Sequence, residues 1–461
     1  MASDGSYDRQ FITGVLSTGI YCLPSCRARK PKPENVEFFP TINAARGAGL
    51  RACKKCRPDD YYAGTDVELD RLEDAVAKLR ANPSDFASIG DFGTQAEMGT
   101  SKLFESVRHH YHVTPGELIV RTRVENACAR LLNSEASVSD IAFAVGFETL
   151  STFYENFGRL VGMAPVAYRK LGNAQAFSVT LPESFRRSAV LGYFGRDPLS
   201  LSEKVEGTEL WISTQFGQGP GSVHLRFDDT LVECHVEGGT PVEAHRGVCR
   251  MIGLRQDPKA FEQLAAKLGH DFLYEGRSGL RVPLTFSEFD AVVWSILGQQ
   301  VNLTFAYSLR RKLVELLGVP VGNGLISPPT PESIGQLSVE DLLPLQFSRR
   351  KAEYLIDLSR LIAARTLDLC AIGNGAATRA EKTMLEIRGL GPWSVHYLMM
   401  RGFGFADCLP VGDTGITSAL QKCFQLEIRP DVAVTRQLME PFSPQRSLAC
   451  LHLWQTLKFE S

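Results

Sequence analysis

The sequence predicts a multidomain, mostly α fold: a small cysteine-stapled α+β module, a helical module, a second small α+β module and an all-α C-terminal module. Three observations lead there. The chain has 461 residues, too many for one hydrophobic core, so roughly two to four domains are expected. Its texture changes along its length, from Cys-, Gly- and Pro-rich to helical, then to strand-like alternation, then back to helical. Two cysteine pairs, Cys22/Cys26 and Cys53/Cys56, stand near the start at metal-ligand spacing.

Composition narrows the class. A hydrophobic content of 44% and a charged content of 22% are those of an ordinary soluble globular protein. No apolar run approaches the roughly 20 residues needed to cross a bilayer, and MASDGSYDRQF lacks the basic-then-apolar order of a signal peptide. A cytoplasmic protein with no membrane partner is expected. The net charge of −2 conceals a local imbalance, because residues 1–57 hold ten Lys and Arg against four Asp and Glu. Phosphate attraction acts within a Debye length of about 10 Å, so the local excess outweighs the sum. Of eleven cysteines, seven (Cys128, Cys234, Cys249, Cys370, Cys408, Cys423 and Cys450) show no spacing pattern. They are expected to be small buried hydrophobes in a reducing compartment.

Residues 1–64 form the first module. Cys22-x3-Cys26 and Cys53-x2-Cys56 suit one tetrahedral Zn²⁺ held by four thiolates from two short loops. NVEFFPT between them reads as a strand, and the zinc would staple a domain too small to hold itself together. The same spacing serves a purely structural site. Nearby, Arg27, Arg29, Lys30, Lys54, Lys55 and Arg57 would draw in a phosphate backbone. Four thiolates on Zn²⁺ leave a net charge of −2, which keeps the sulfurs electron-rich and deprotonated. The run FITGVLSTGIYCLPSCRARKPKPENVEFFPTINAARGAGLRACKKCRPD resembles, almost position by position, the N-terminal domain of the Ada DNA-repair family. That resemblance implies that the first ligand, Cys22, accepts a methyl group from a DNA phosphotriester in one irreversible turnover. Methylation would move the site from −2 toward −1, reduce repulsion from phosphate and tighten binding to promoter DNA.

Residues 65–172 read as helices. DVELDRLEDAVAKLRAN places Leu69, Leu72, Val76 and Leu79 at helical spacing and ends at Asn82-Pro83. SVSDIAFAVGFETLSTFYENFGRLVGMAPVAYRK reads as a helix-turn-helix. Ser137 or Ser139 caps its first helix, Ala142 permits close packing, Gly146 makes the turn, and Phe147, Phe153 and Phe157 form the buried side of the second helix. Down to Gly162, Pro165, Tyr168 and Arg169, this stretch resembles the second half of the AraC-type DNA-binding domain. An earlier copy runs from about Ile89 to Pro115, but Asp91 and Phe92 stand where a small-residue turn is expected, and Val107 replaces an aromatic. Such helix pairs also occur as plain bundles that bind nothing. DNA binding is expected of this motif, but the helix expected from Leu150 to Arg159 is not strongly basic, which argues against tight sequence-specific binding.

Residues 173–283 switch to strand-like alternation in FSVTLP, SVHLRF and LVECHVEG. Residues 284–461 return to helices, interrupted by LLGVPVGNGLISPPTP, which reads as a loop. Two stretches of this last module carry chemistry. In MLEIRGLGPWSVHYLMMRGFG, Gly389-Leu390-Gly391 lies between helical segments, and the following helix offers the backbone N–H groups of Trp393 and Ser394 to one DNA phosphate. In DCLPVGDTGITSAL, Asp413 occupies a glycine-flanked bend before a helix, as a helix cap or as a functional carboxylate.

Together these stretches resemble the helix-hairpin-helix DNA glycosylase superfamily, whose essential carboxylate follows the hairpin at this interval. Trp393 stands where lyase-competent members carry a lysine, which implies a monofunctional glycosylase. The resemblance also implies a monovalent cation at the hairpin, and the cysteine cluster that binds iron–sulfur in some members is missing. FDAVVWSILGQQVNLTFA, the hairpin, Asp413 and RSLACLHLWQTLKF are similar to the AlkA-type 3-methyladenine DNA glycosylases, and LGYFGRD fits their small N-terminal α+β domain. The similarity implies that Trp393, Tyr397, Trp454 and Tyr193 line an electron-rich pocket for a flipped, cationic base. Each aromatic face would attract 3-methyladenine or 7-methylguanine by roughly 0.5–2 kcal/mol. Taken singly, Trp393 and Trp454 would more often be core aromatics than pocket walls. Asp413 would stabilise the oxocarbenium-like sugar and orient or deprotonate the attacking water. Gln300 holds the position wedged into the duplex, where AlkA has leucine, and Thr414-Gly415 replace bulkier residues.

A three-part fusion is therefore expected, acting on alkylated double-stranded DNA as a monomer in the bacterial cytoplasm, at the nucleoid. No Pro-Cys-His-Arg tetrapeptide occurs, so repair of O6-methylguanine is not expected. The alternative is a methylation-responsive regulator whose glycosylase-like module binds DNA without catalysis.

Overall fold

The computed structural model describes residues 7–26, 28–64 and 66–457. The chain divides into two compact units, Met1–Ala75 and Val76–Ser461. The first is built on a four-stranded sheet in the order Val36–Phe39, Ile12–Val15, Ile20–Cys22, Arg51–Ala52. NVEFFPT does supply a strand. Ile12–Val15 pairs antiparallel with both neighbours, whereas Arg51–Ala52 runs parallel to Ile20–Cys22 with Tyr21 opposite Ala52. That parallel pairing brings the chain to Cys22 and Cys53 at the same end of two adjacent strands. The apolar core is small, centred on Ile12, Tyr21, Leu23, Phe39, Ala45 and Leu50. Gly14 is needed for it to close, because a Cβ there would meet the Phe39 ring at 2.5 Å and Leu50 at 2.6 Å.

Helix Val67–Ala81 buries the predicted stripe Leu69, Leu72, Val76 and Leu79 and stops before Asn82-Pro83. Two helix pairs follow, Ile89–Gln95 with Thr100–Tyr111, and Val138–Ala144 with Leu150–Val161, joined by the long helix Pro115–Asn133. In the second pair Ser137 is the cap, Gly146 turns at φ +96, and Phe153 and Phe157 are fully buried. The first pair corrects the sequence reading. Asp91 is not in the turn but completes a capping box with Ser88, and the left-handed turn residue is Glu97 at φ +52. The turn lies where Gly146 lies in the second pair, nine residues beyond the cap, and it tolerates a side chain because Glu97 points into solvent.

A five-stranded antiparallel sheet comes next, in the order Ala176–Thr180, Leu231–Glu237, Gly219–Phe227, Glu209–Phe216, Glu203–Glu206. One hydrophobic core runs without a break from Val124 in the helical region, through Phe153 and Phe157, to Val223, Val248 and Leu254 around the sheet. His245 reinforces the junction through a hydrogen bond with the Val161 carbonyl at 2.8 Å. The remaining helices, from Pro258–Lys267 to Arg446–Thr456, enclose a second large core. LLGVPVGNGLISPPTP is not a plain loop. Pro320–Gly322 and Leu325–Ile326 pair as a hairpin, because Asn323 and the flanking glycines adopt the positive φ a tight turn requires. Its Ile326 carbonyl accepts from the Ser202 and Ser213 hydroxyls, tying it to the sheet. Helix Thr100–Tyr111 docks on this C-terminal body, with His110 Nδ1 2.6 Å from Thr378 Oγ1 and His112 Nδ1 accepting from the Asp407 backbone N–H at 3.3 Å. No described helix is long and apolar enough to cross a membrane.

Candidate metal centre and candidate active site

At the end of the parallel strand pair, the Sγ atoms of Cys22, Cys26, Cys53 and Cys56 all lie within 4.8 Å of one another. Tetrahedral coordination at a Zn–S distance of about 2.3 Å places sulfurs roughly 3.8 Å apart, so the four fit a single ion. Cys22, Cys26 and Cys53 are buried and Cys56 is half-buried. The Cys56 sulfur accepts the Leu23 N–H at 3.3 Å, and the Cys53 sulfur accepts the Lys55 N–H at 3.4 Å. Crowding splits the thiols: a hydrogen bond with Cys56, together with burial, pushes Cys22 up, while Cys56 is drawn down to about 6 by its bond from Cys22. Four sulfurs this close ionise together only around a cation. Behind Cys22, the buried Tyr21 hydroxyl donates to Asp59 at 2.5 Å and accepts from Arg46 at 3.0 Å, which also pairs with Asp59 at 2.7 Å. The network pins the strand bearing Cys22 to the helix that follows Cys56.

The second site centres on Asp413, N-cap of helix Thr414–Cys423. Its Oδ1 accepts the Ile416 backbone N–H at 2.9 Å and the Trp454 indole N–H at 2.9 Å, and its Oδ2 accepts the Trp393 indole N–H at 3.1 Å. Asp413 is thus a helix cap, and its cap bond is one of three that fix the carboxylate's orientation. Trp393 comes from helix Pro392–Leu398 directly after the hairpin, and Trp454 from the closing helix Arg446–Thr456. Gly415 makes the arrangement possible, because a Cβ there would lie 3.0 Å from the Trp454 ring and 3.1 Å from Asp413 Oδ1. Tyr397 stacks on Trp393 at 5.3 Å and 18°.

Comparisons with known proteins place the stretches that carry these two sites in named families. Residues 1–59 match a model described as the metal-binding domain of Ada, residues 93–171 a helix-turn-helix domain, and residues 293–444 the HhH-GPD superfamily of base excision DNA repair proteins. A probable bifunctional transcriptional activator/DNA repair enzyme AlkA from Mycobacterium tuberculosis is 28% identical over 99% of this chain and 95% of its own length. A putative DNA-3-methyladenine glycosylase, YfjP, from Bacillus subtilis is 37% identical over 61% of this chain and 98% of its own length. The chain belongs to the Ada–AlkA fusion family. A solved 3-methyladenine DNA glycosylase from Archaeoglobus fulgidus shares the fold of its C-terminal part, with a TM-score of 0.56 at 19% identity over 62% of this chain and 99% of that one.

Other residues expected to function in this Ada–AlkA chain fall variously. Gly389 adopts φ +95, and a Cβ there would meet the Tyr354 ring at 2.3 Å, so the hairpin requires glycine; Gly391 is exposed at the N-cap of the next helix. The Ser394 hydroxyl faces inward, donating to the Ser295 carbonyl at 3.1 Å and accepting from Gln299 at 3.0 Å, which leaves only its backbone N–H for a phosphate. Gln299 also donates to the Gly389 carbonyl at 2.8 Å, bracing the hairpin, a role its neighbour Gln300 obscured in the sequence. Gln300 itself is exposed at φ +54. Lys54 is exposed, Lys30 turns its ammonium onto the Cys26 carbonyl at 2.9 Å, and Arg27 lies outside the described residues. Cys370 is exposed rather than buried, because it sits on the outer side of the short helix Leu369–Asn374.

Two arginines inside quoted motifs, Arg196 of LGYFGRD and Arg401 of the hairpin stretch, were given no role by the sequence. Tyr193, at the end of helix Arg187–Phe194, carries the Arg196 guanidinium 4.0 Å and the Arg401 guanidinium 4.5 Å from its ring centroid. Burial opposes ionisation of its phenol, yet these two cations hold it below its ordinary value, whereas burial raises Tyr397 to about 12. Arg401 also lies 5.5 Å from the Trp454 ring centroid. Two of the four aromatic faces expected to await a cationic base, those of Tyr193 and Trp454, therefore already carry cations. Arg401 belongs to a π-helical turn, Met399–Phe403, which continues the helix bearing Trp393 and Tyr397.

Proposed function

We propose that this protein hydrolyses the N-glycosidic bond of alkylated bases such as 3-methyladenine and 7-methylguanine in double-stranded DNA, with Asp413 as its essential carboxylate. The supporting observation is the fixed carboxylate beside stacked aromatics, twenty residues beyond Trp393 of the hairpin helix. Hairpin N–H groups and the exposed Gln300 engage the duplex, and the flipped base enters among Trp393, Tyr397, Trp454 and Tyr193. Water attacks C1′ and gives up a proton to the Asp413 carboxylate, the electron pair of the C1′–N bond leaves with the cationic base, which departs neutral, and the same carboxylate stabilises the positive charge that develops on the sugar. With tryptophan in place of a Schiff-base lysine at position 393, the reaction stops at the abasic site, as in a monofunctional glycosylase.

A second activity belongs to the zinc module. The four cysteines are positioned to hold one metal ion, and zinc bound there would keep the thiolates deprotonated. The Cys22 sulfur attacks the methyl carbon of a DNA phosphotriester, an S–C bond forms, the C–O bond breaks, and the electron pair stays on the phosphodiester anion. Exposed Lys54, with Arg27 and Lys30, would hold the backbone. The charge change then favours promoter DNA through the AraC-type helices, with the protein acting as a monomer.

Asp413→Asn tests the first activity: release of free 3-methyladenine from methylated duplex DNA at the wild-type rate would sink the catalytic assignment and favour a regulator that binds without cleaving. Mass spectrometry tests the second, since a peptide containing Cys22 that gains no methylene mass after exposure to phosphotriester DNA would leave zinc purely structural.

A further inference from the structure

The acids around the two pocket guanidiniums are engaged elsewhere. Glu203 bonds Arg310 through both oxygens at 2.5 and 2.6 Å, Asp197 pairs with Arg311 at 2.5 Å, and both Asp413 oxygens accept indole N–H groups. Among the described residues no carboxylate lies within ion-pair distance of Arg196 or Arg401. Arg401 is buried and donates to the Pro283 carbonyl at 2.9 Å, so it is fixed. Arg196 is half-buried and stacks between Tyr193 and Trp294, 4.5 Å from the latter's ring centroid, at the wall of a cavity it shares with Asp290 and Glu203.

A guanidinium on an aromatic face occupies the attraction that face would offer a second cation, and it repels that cation besides. It also presents only N–H donors, which match a carbonyl acceptor and mismatch an exocyclic amine. Resting on the reading of Trp393, Tyr397, Trp454 and Tyr193 as the base site, whose Tyr193 ring Arg196 covers at 4.0 Å, we propose that Arg196 is a specificity-determining residue that favours neutral 6-oxopurines, hypoxanthine being the simplest, over cationic 6-aminopurines such as 3-methyladenine. 7-Methylguanine, cationic yet carrying a 6-carbonyl, ranks between them. The three bases thus separate the effect of charge from that of hydrogen bonding.

The test uses the full chain and single-turnover excision of each base from duplex DNA. Arg196→Met, which keeps the aliphatic volume but removes charge and donors, lowers the hypoxanthine to 3-methyladenine rate ratio by about tenfold or more, a loss of the size expected when a polar match disappears. Arg196→Lys retains the discrimination against 3-methyladenine and loses part of the preference for the carbonyl. A ratio of rates is independent of the fraction of protein folded, so partial misfolding does not mask the result. If wild type releases all three bases and Arg196→Met leaves the ratio unchanged, the role of Arg196 is refuted and the glycosylase reading stands. If wild type, like Asp413→Asn, releases none of the three, the pocket reading fails and the proposal falls with it.

Discussion

Replacing Trp454 by Phe isolates what the indole N–H does for Asp413. The ring face is kept, and only the 2.9 Å bond to Oδ1 is lost. A hydrogen bond to a charged group contributes about 1.5–3 kcal/mol. Two of the three donors remain, the Ile416 and Trp393 N–H groups at 2.9 and 3.1 Å, so the lower end applies. About 1.5 kcal/mol corresponds to roughly a tenfold fall in kcat, at about 1.4 kcal/mol per decade. KM changes less, because the stacking surface is retained. Single-turnover release of 3-methyladenine, with binding to abasic-site DNA measured in parallel, separates the two quantities. The reasoning fails if the single-turnover rate stays within about twofold of wild type, for then the indole does not orient the carboxylate. It also fails if the loss equals that of Asp413→Asn, which would mean the whole site had moved.

Chelating the metal is expected to unfold the first unit while leaving the second folded, because six buried residues cannot hold it by burial alone; circular dichroism and limited proteolysis of the full chain report this, and an unchanged digestion pattern would contradict it. Gly389→Ala places a methyl group against the Tyr354 ring at a positive φ, and strain plus overpacking of about 3 kcal/mol should weaken duplex binding at fixed salt without touching zinc content. His112, His245 and His452 are each held down to about 4, chiefly by burial. Their folded values lie below the unfolded value of about 6.5, so the unfolded chain binds the extra protons between the two. Stability is therefore complete above pH 6.5 and falls toward pH 4, by about 1.4 kcal/mol per histidine at pH 5.5; urea midpoints that stay flat across this window would contradict it.

Motifs made much of the molecule legible because each expresses a local rule. Cysteine spacing, a serine cap with glycine nine residues on, and a hairpin with a carboxylate downstream all announce themselves within short windows. Loss was greatest where the relevant contact is long-range. Glu97 replaces the turn glycine because its side chain reaches solvent, which no local pattern states. Asn323 converts an apparent loop into a hairpin that the sheet carrying Ser202 and Ser213 then captures. Arg196 and Arg401 reach one tyrosine from segments about two hundred residues apart in sequence, and nothing within either quoted motif places them on the same ring. Gly415 looked like a departure from its relatives, and its purpose became visible only with Trp454 beside Asp413.

The unbroken core from Val124 to Leu254 bears on how two DNA-directed activities share a chain. Cutting at the apparent boundary near residue 172 would strip Val179, Val223 and Val248 away from Phe157, Leu160 and Val161. Each large apolar side chain left exposed costs about 1.5–3 kcal/mol, so a handful exceeds the 5–15 kcal/mol that stabilises a typical domain. The AraC-type helices and the glycosylase are then parts of one folded body, whereas the zinc module forms a compact unit of its own. A methyl group gained by Cys22 alters charge within that separate unit, and the long-lived consequence of such a change is electrostatic, acting where the unit meets phosphate. The excision proposed here, by contrast, depends on a carboxylate whose three donors all come from the second unit. Methylation of Cys22 should therefore change where the protein binds DNA without altering the chemical step at Asp413, and single-turnover excision rates at saturating protein, compared before and after methyl transfer, should agree.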